Sequence, residues 1–128
     1  MSTDFPSPHP WDSYLTEPLG DQMPQARVLV TGGSGFIGTN LIQALTAHGV
    51  DVLNIDCELP RNPAQTPWWR RVDLLDAPVV GRVVREFSPE IVFHLAARTD
   101  LDETAGSEGY AANTIGVENL LLALDGFD

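Results

Sequence analysis

The stretch Thr31-Gly32-Gly33-Ser34-Gly35-Phe36-Ile37-Gly38 constrains this chain more than any other part of its sequence. It holds two overlapping glycine spacings: GxGxxG at Gly33, Gly35 and Gly38, and GxxGxxG at Gly32, Gly35 and Gly38. Either spacing alone carries little information. Here it follows the apolar run Arg27-Val28-Leu29-Val30-Thr31, which reads as a buried strand. It opens a segment in which Ile37, Leu41, Leu45 and His48 recur three or four residues apart, the period of a helix's inward face. Gly49 then stands where a left-handed residue closes a helix. A glycine turn between a buried strand and a helix brings backbone N–H groups and the positive end of the helix dipole against phosphate oxygens. The first glycines permit a tight turn and positive φ. The middle one lets the backbone approach a pyrophosphate, and the last lets the helix pack closely. A phosphate loop ending in Gly-Lys-Ser/Thr is excluded, because that triplet is absent.

The pattern of strand, turn and helix then repeats. Asp51-Val52-Leu53-Asn54-Ile55 reads as a second strand, residues 57–67 with Pro60, Pro63 and Pro67 as a loop, and Trp69 to Val72 as a third strand. Asp76 is placed to cap a helix with Pro78 in its first turn and Val79, Val80, Val83, Val84 and Phe87 on one stripe, stopped by Ser88-Pro89. Ile91-Val92-Phe93-His94-Leu95 reads as a fourth buried strand, and residues from about Glu108 to Leu124 as a last helix facing inward with Val117, Leu121 and Leu124. Short apolar strands alternating with helices imply an α/β fold: a doubly wound, Rossmann-like parallel sheet of about four strands.

Composition narrows the chemistry. All seven basic residues among the 128 are arginines; there is no lysine. No Schiff-base lysine, phosphate-loop lysine or tyrosine–lysine pair can form within this chain. Eighteen acids give a net charge of −11, which argues against nucleic acid and against an anionic membrane surface. The single cysteine, Cys57, excludes an internal disulfide and a Cys-rich zinc site, has no cation beside it in sequence, and reads as inert. With no signal-like N-terminus and no long apolar run, a cytoplasmic location is expected. Residues 1–25 carry five of the ten prolines, four acids and no arginine, and are expected to be a flexible tail with Trp11 and Tyr14 as points of attachment. Residues 26–128 are expected to be the dinucleotide-binding domain.

Asp56 closes the second strand. A carboxylate there can accept hydrogen bonds from adenosine ribose hydroxyls and would repel a 2′-phosphate, which favours NAD over NADP. Arg61, close by, argues the other way.

The glycine stretch, Asp56, Asp73-Leu74, His94-Leu95-Ala96-Ala97, and Asn113 with Gly116 and Asn119-Leu120-Leu121 together resemble the N-terminal half of the NAD-dependent epimerase/dehydratase family, the extended short-chain dehydrogenases/reductases. The resemblance runs from residue 26 to about 125 and implies roles position by position. Gly32, Gly35 and Gly38, with the backbone of Phe36 and Ile37, would hold the pyrophosphate. Asp56 would bind the adenosine ribose. Asp73 would take the adenine amine, with Leu74 flanking the ring. Leu95, Ala96 and Ala97 would line the nicotinamide side. Asn113 would be a buried polar group shaping the centre of the sheet, and Arg98 and Thr99 would begin the substrate-facing part. Plainer roles stand beside these: Asp73 as a turn former, the alanines as packing, Asn113 as a partner for backbone groups. His94 reads as a structural histidine and Trp68 and Trp69 as anchors of the long loop. The acids Asp100, Asp102, Glu103 and Glu108 read as a solvated stretch, and no metal site is expected.

The family's catalytic groups are a Ser/Thr and a Tyr-x-x-x-Lys. Tyr14 is followed at the fourth place by Pro18 and Tyr110 by Thr114, so this pattern is absent. The expectation is the NAD(P)-binding portion of a nucleotide-sugar epimerase/dehydratase-like oxidoreductase, not competent alone, with no catalytic residue of its own. The sugar nucleotide would be a partner only once a C-terminal part completes the enzyme. The alternatives are a non-catalytic dinucleotide-binding or regulatory module, and a half-enzyme completed by another chain. A fourth strand without a neighbour predicts marginal stability, or a homodimer through that edge.

Overall fold

The computed structural model describes residues 26–97 and 106–125. The readings of residues 1–25, of Arg98 and Thr99, and of the acids from Asp100 to Glu108 concern side chains outside that description. Four parallel strands form one sheet in the order β3-β2-β1-β4: β1 (Arg27–Thr31), β2 (Asp51–Asp56), β3 (Trp69–Arg71) and β4 (Ile91–His94). Three helices accompany them: α1 (Phe36–Ala47), α2 (Ala77–Phe87) and α3 (Gly106–Leu124). The fold is the α/β parallel sheet that the alternating pattern implies.

Burial on both faces explains why the strands are so apolar. From β1, Val28 and Val30 join Ile42, Val50 and Val52 on the α1 side, with Leu41 and Leu45 packed against them. Leu29 points the other way, into a cluster with Ile55, Val72, Val80, Val83, Val84 and Leu120 beneath α2 and α3. Each fully buried side chain of this size contributes about 1.5–3 kcal/mol relative to an exposed one. The stripe on α2 falls as expected, with Val80, Val83 and Val84 buried and Val79 and Phe87 packed at the margin. Asp76 caps α2 through Val79 N–H, Pro78 lies in the first turn, and Ser88 ends the helix with φ of 52°. Gly49 has φ of 74°, the left-handed value expected after α1.

Three expectations are corrected. Ile37 is 68% exposed and His48 is exposed as well, and Ile42 takes the inward position, because the face of α1 turned inward is that of Gly38 and Ile42. On α3, Leu124 packs against the core as expected and Val117 is half-buried, but Leu121 is 59% exposed and Leu120, at 3% exposure, takes its inward place. β4 is not buried. It lies at the sheet edge, and Ile91, Phe93 and Leu95 are 36–37% exposed, because among the described residues nothing pairs with its outer side. Within the 57–67 loop, the last residues turn into a 3₁₀ segment, Pro63–Trp68, capped by Asn62 accepting from Ala64 N–H.

Strand order decides where a ligand can sit. The chain runs outward from β1 through β2 to β3, then returns to the other side of β1 as β4. Between β1 and β4 the connections diverge, and the crevice that opens beyond the carboxyl ends of the strands at such a point is where α/β sheets bind ligands.

Candidate cofactor-binding site

The described segments given cofactor roles in the sequence, Asn113 apart, follow the carboxyl ends of strands. The glycine turn follows β1, Asp56 ends β2, Asp73 and Leu74 follow β3, and Leu95 to Ala97 follow β4. Asn113 is half-buried within α3, less enclosed than the resemblance implies.

The glycines divide by what surrounds them. Gly32 has φ of 71°, and a β-carbon there would stand 2.6 Å from Ala96 N. At Gly33 a β-carbon would overlap the Asn54 amide and come within 2.7 Å of Ile42. At Gly38 it would overlap Gly33 Cα. The last glycine therefore lets α1 close on the turn itself, not on the strand. Gly35 differs: its nearest neighbour would be Gly32 O at 3.6 Å, an ordinary contact. The protein itself leaves room for a side chain at Gly35, at the mouth of α1. That helix also begins without a side-chain cap and without an acid in its first turn, so its leading N–H groups are open to an anion.

Two buried polar residues, not picked out in the sequence, hold the turn. Asn54 is wholly buried in the middle of β2; its Oδ1 accepts from Gly33 N–H at 2.9 Å and its Nδ2 donates to Ser34 Oγ at 3.3 Å. Ser34 Oγ donates in turn to Glu58 O at 2.8 Å. The signal was an asparagine interrupting an otherwise apolar strand, since such a residue needs a partner. Thr31, also fully buried, accepts from Ala96 N–H at 3.2 Å, and its hydroxyl lies 2.6 Å from His94 Nδ1. Leu95 N–H donates to Thr31 O at 2.9 Å. Gln65 ties the 3₁₀ segment to α1 by donating to Thr39 O at 3.0 Å, and its Oε1 is buried without a partner among the described residues.

Asp56 bridges the two loops beside it. Its carboxylate accepts from Ser34 N–H at 3.0 Å and from Glu58 N–H at 2.9 Å, which leaves lone pairs for hydroxyl donors, since a carboxylate offers about four. Asp73 is exposed and accepts from Leu75 N–H at 2.9 Å, the turn-forming role. Leu74 packs on the core, and its carbonyl accepts from Asn119 Nδ2 at 2.8 Å. Gly116 of α3 lies beside Leu74, with room for a β-carbon at an ordinary contact of 3.4 Å.

Near the Asp56 end, Trp69 anchors the loop by donating from Nε1 to Asp56 O at 3.0 Å. Arg71 donates to Cys57 O at 2.9 Å and lies over the Trp69 ring. The fold thus supplies a cation near Cys57 that the sequence did not show. The thiol is nonetheless pushed above its ordinary value, first by burial and then by Asp56, Glu58 and Asp73. Arg61 is exposed and makes no ion pair among the described residues. Partial burial lowers His94 below the usual histidine value. No group of three or more metal-ligating side chains occurs among the described residues, and no helix there is long and apolar enough to cross a membrane.

Known proteins share the sequence pattern and the fold of this chain. Residues 28–126 match the model of the NAD dependent epimerase/dehydratase family. A dTDP-glucose 4,6-dehydratase of Neisseria meningitidis is 33% identical over 111 residues, covering 76% of this chain and 31% of the dehydratase. A 3 beta-hydroxysteroid dehydrogenase/Delta 5-->4-isomerase of Mycobacterium tuberculosis is 35% identical over 123 residues, covering 88% of this chain and 30% of that enzyme. The solved UDP-glucose 4-epimerase of Thermus thermophilus, in complex with NAD, superposes with a TM-score of 0.66 at 37% identity, covering 77% of this chain and 33% of that one. The chain therefore spans about a third of the length of the relatives it matches. With a family match over residues 28–126, about three quarters of its length, this chain belongs to the NAD dependent epimerase/dehydratase family.

Proposed function

We propose that this chain is the cofactor-binding part of a nucleotide-sugar epimerase/dehydratase-type oxidoreductase, and that its cofactor is NAD. The observation that carries this is Gly35. The fold requires glycine at positions 32, 33 and 38 for its own packing, but not at 35, where a smooth backbone surface meets the uncapped start of α1. A glycine there serves a group that comes from outside, and a pyrophosphate matches the open N–H groups. Gly32, Gly35 and Gly38 with the backbone of Phe36 and Ile37 would receive the pyrophosphate. Asp56 would receive the adenosine ribose, Asp73 and Leu74 the adenine, and Leu95, Ala96 and Ala97 the nicotinamide side; Asn113 would support that end from α3. When bound, the cofactor supplies hydride acceptance and return. The residues of this chain bind and orient it.

Asp56 supports NAD over NADP, because its carboxylate would face a 2′-phosphate. The nucleotide-sugar reading rests on the dehydratase and epimerase relatives. The steroid dehydrogenase shares the same stretch, so substrate choice lies outside these motifs. Side-by-side calorimetric titration of the folded chain with NAD and NADP tests both points. NAD binding tighter by about tenfold or more, roughly 1.4 kcal/mol, is expected. NADP binding as well as NAD would remove the role given to Asp56. Absence of binding by either would remove the cofactor reading altogether.

A second reading has its own observation: without any lysine, this sequence cannot form Tyr-x-x-x-Lys. Binding without turnover, or turnover only with a second chain that covers the exposed Ile91, Phe93 and Leu95 of β4, follows from it. Activity on a sugar nucleotide from this chain alone would overturn that reading.

A further inference from the structure

His94 makes a contact that the cofactor reading does not use. Its Nδ1 lies 2.6 Å from Thr31 Oγ1, and that same oxygen accepts from Ala96 N–H at 3.2 Å. A hydroxyl has one proton to give. The Ala96 N–H already occupies a lone pair on Oγ1, so the Thr31 proton is free to point at the ring, provided that Nδ1 is bare. A proton on Nδ1 would make the ring the donor and Oγ1 the acceptor on its second lone pair. The threonine hydrogen would then have to leave the contact, and Thr31 is fully buried, so no water reaches it to take that hydrogen. Thr31 and His94 are register partners on adjacent strands, and Leu95 N–H is bonded to Thr31 O at 2.9 Å, so the arrangement is fixed by the sheet itself.

We propose that His94 is a positioning residue: held as the neutral Nε2–H tautomer, it takes the Thr31 proton at Nδ1 and so keeps the Thr31 oxygen presented to Ala96 N–H, which seats the Leu95–Ala97 turn at the carboxyl edge of the sheet. It follows that the Ala96 amide is committed to the protein and is not a donor to the cofactor. It follows also that one proton on the ring loosens this turn. Around the ring, the neighbouring strand from Val28 to Thr31, the glycine turn from Gly32 to Gly35 and the residues Leu95–Ala97 carry no ionisable side chain. Partial burial alone accounts for the lowering of the ring's pKa, and that lowering supports a neutral ring at neutral pH.

The link to cofactor affinity rests on the function proposed above; the link to the turn does not. The test is therefore made first on the ligand-free full chain. Nitrogen-15 NMR of the ring at neutral pH is expected to show Nε2–H with bare Nδ1, and an Nδ1–H tautomer overturns the proposal. On acidification, the Ala96 amide is expected to shift with the same midpoint as the ring, and an Ala96 amide indifferent to ring ionisation overturns it. In Thr31→Ser this coupling should survive, and in Thr31→Val it should vanish. Should the valine variant not fold, the wild-type and serine titrations decide the matter alone. NAD affinity should then fall several-fold as the ring takes its proton, in wild type and serine variant alike. Coupling without NAD binding at any pH supports the clamp and removes the cofactor reading. NAD binding without coupling removes the clamp alone.

Discussion

Gly33 Cα stands where a β-carbon on residue 38 would have to go, and the two glycines bring the start of α1 down onto the turn that precedes it. Gly35, between them in sequence, has no such neighbour. Gly38→Ala is expected to lose about 1–3 kcal/mol through overpacking. Gly35→Ala should lose less than about 1 kcal/mol, since its φ of −78° suits alanine, yet should bind NAD at least tenfold more weakly. Urea unfolding and calorimetry on both variants check this. Equal loss of stability in the two would contradict the division.

Asn54 is the buried partner of Gly33 N–H and Ser34 Oγ. Asn54→Leu leaves that N–H without an acceptor and is expected to lower stability by about 1–3 kcal/mol. The turn should also loosen, which amide hydrogen exchange at Gly33 and Ser34 would register. Unchanged protection there would show that the turn stands without Asn54.

The pKa of His94 is lowered from about 6.5. A lowered base binds fewer protons folded than unfolded, so stability rises with pH in that window. Its contribution is full above about 6.5 and is lost as pH falls through the lower folded value. Denaturant midpoints measured across this range should decline toward acid, and His94→Gln should flatten that part of the profile.

Cys57 is exposed on the surface, yet its thiol is raised by burial and by Asp56, Glu58 and Asp73. Only the thiolate reacts. Iodoacetamide at neutral pH should therefore label the folded chain more slowly than the chain unfolded in urea. Faster labelling of the folded protein would mean that Arg71, bonded to the Cys57 carbonyl, governs the thiol instead.

The succession of strands and helices and the glycine turn were legible because they are written in local patterns: apolar runs, helical period, glycine spacing, the Asp76 cap. Positions that depend on three-dimensional closure were not. Ile37 and Leu121 fit a helical period counted from their neighbours, but the rotation of each helix is set by what it lands on, and Ile42 and Leu120 face the core instead. β4 reads as buried because apolar strands usually are, while its place at the sheet edge is a property of topology, not of its own residues. Asn54 and Thr31 escaped notice as site residues for the same reason. Their partners are 21 and 65 residues away along the chain.

That separation carries a consequence for how the protein is born. A ribosome that has released β1, α1 and β2 has already made the glycine turn and its Asn54 support. The turn's opposite wall, Leu95 to Ala97, does not yet exist, and Thr31 has no histidine to meet. The long loop between these two walls must close before the groove has two sides, and closures of that span are the slow steps of folding. The site thus gains its second side only once residue 97 has emerged, and a nascent chain halted before it would carry a phosphate cradle with nothing facing it.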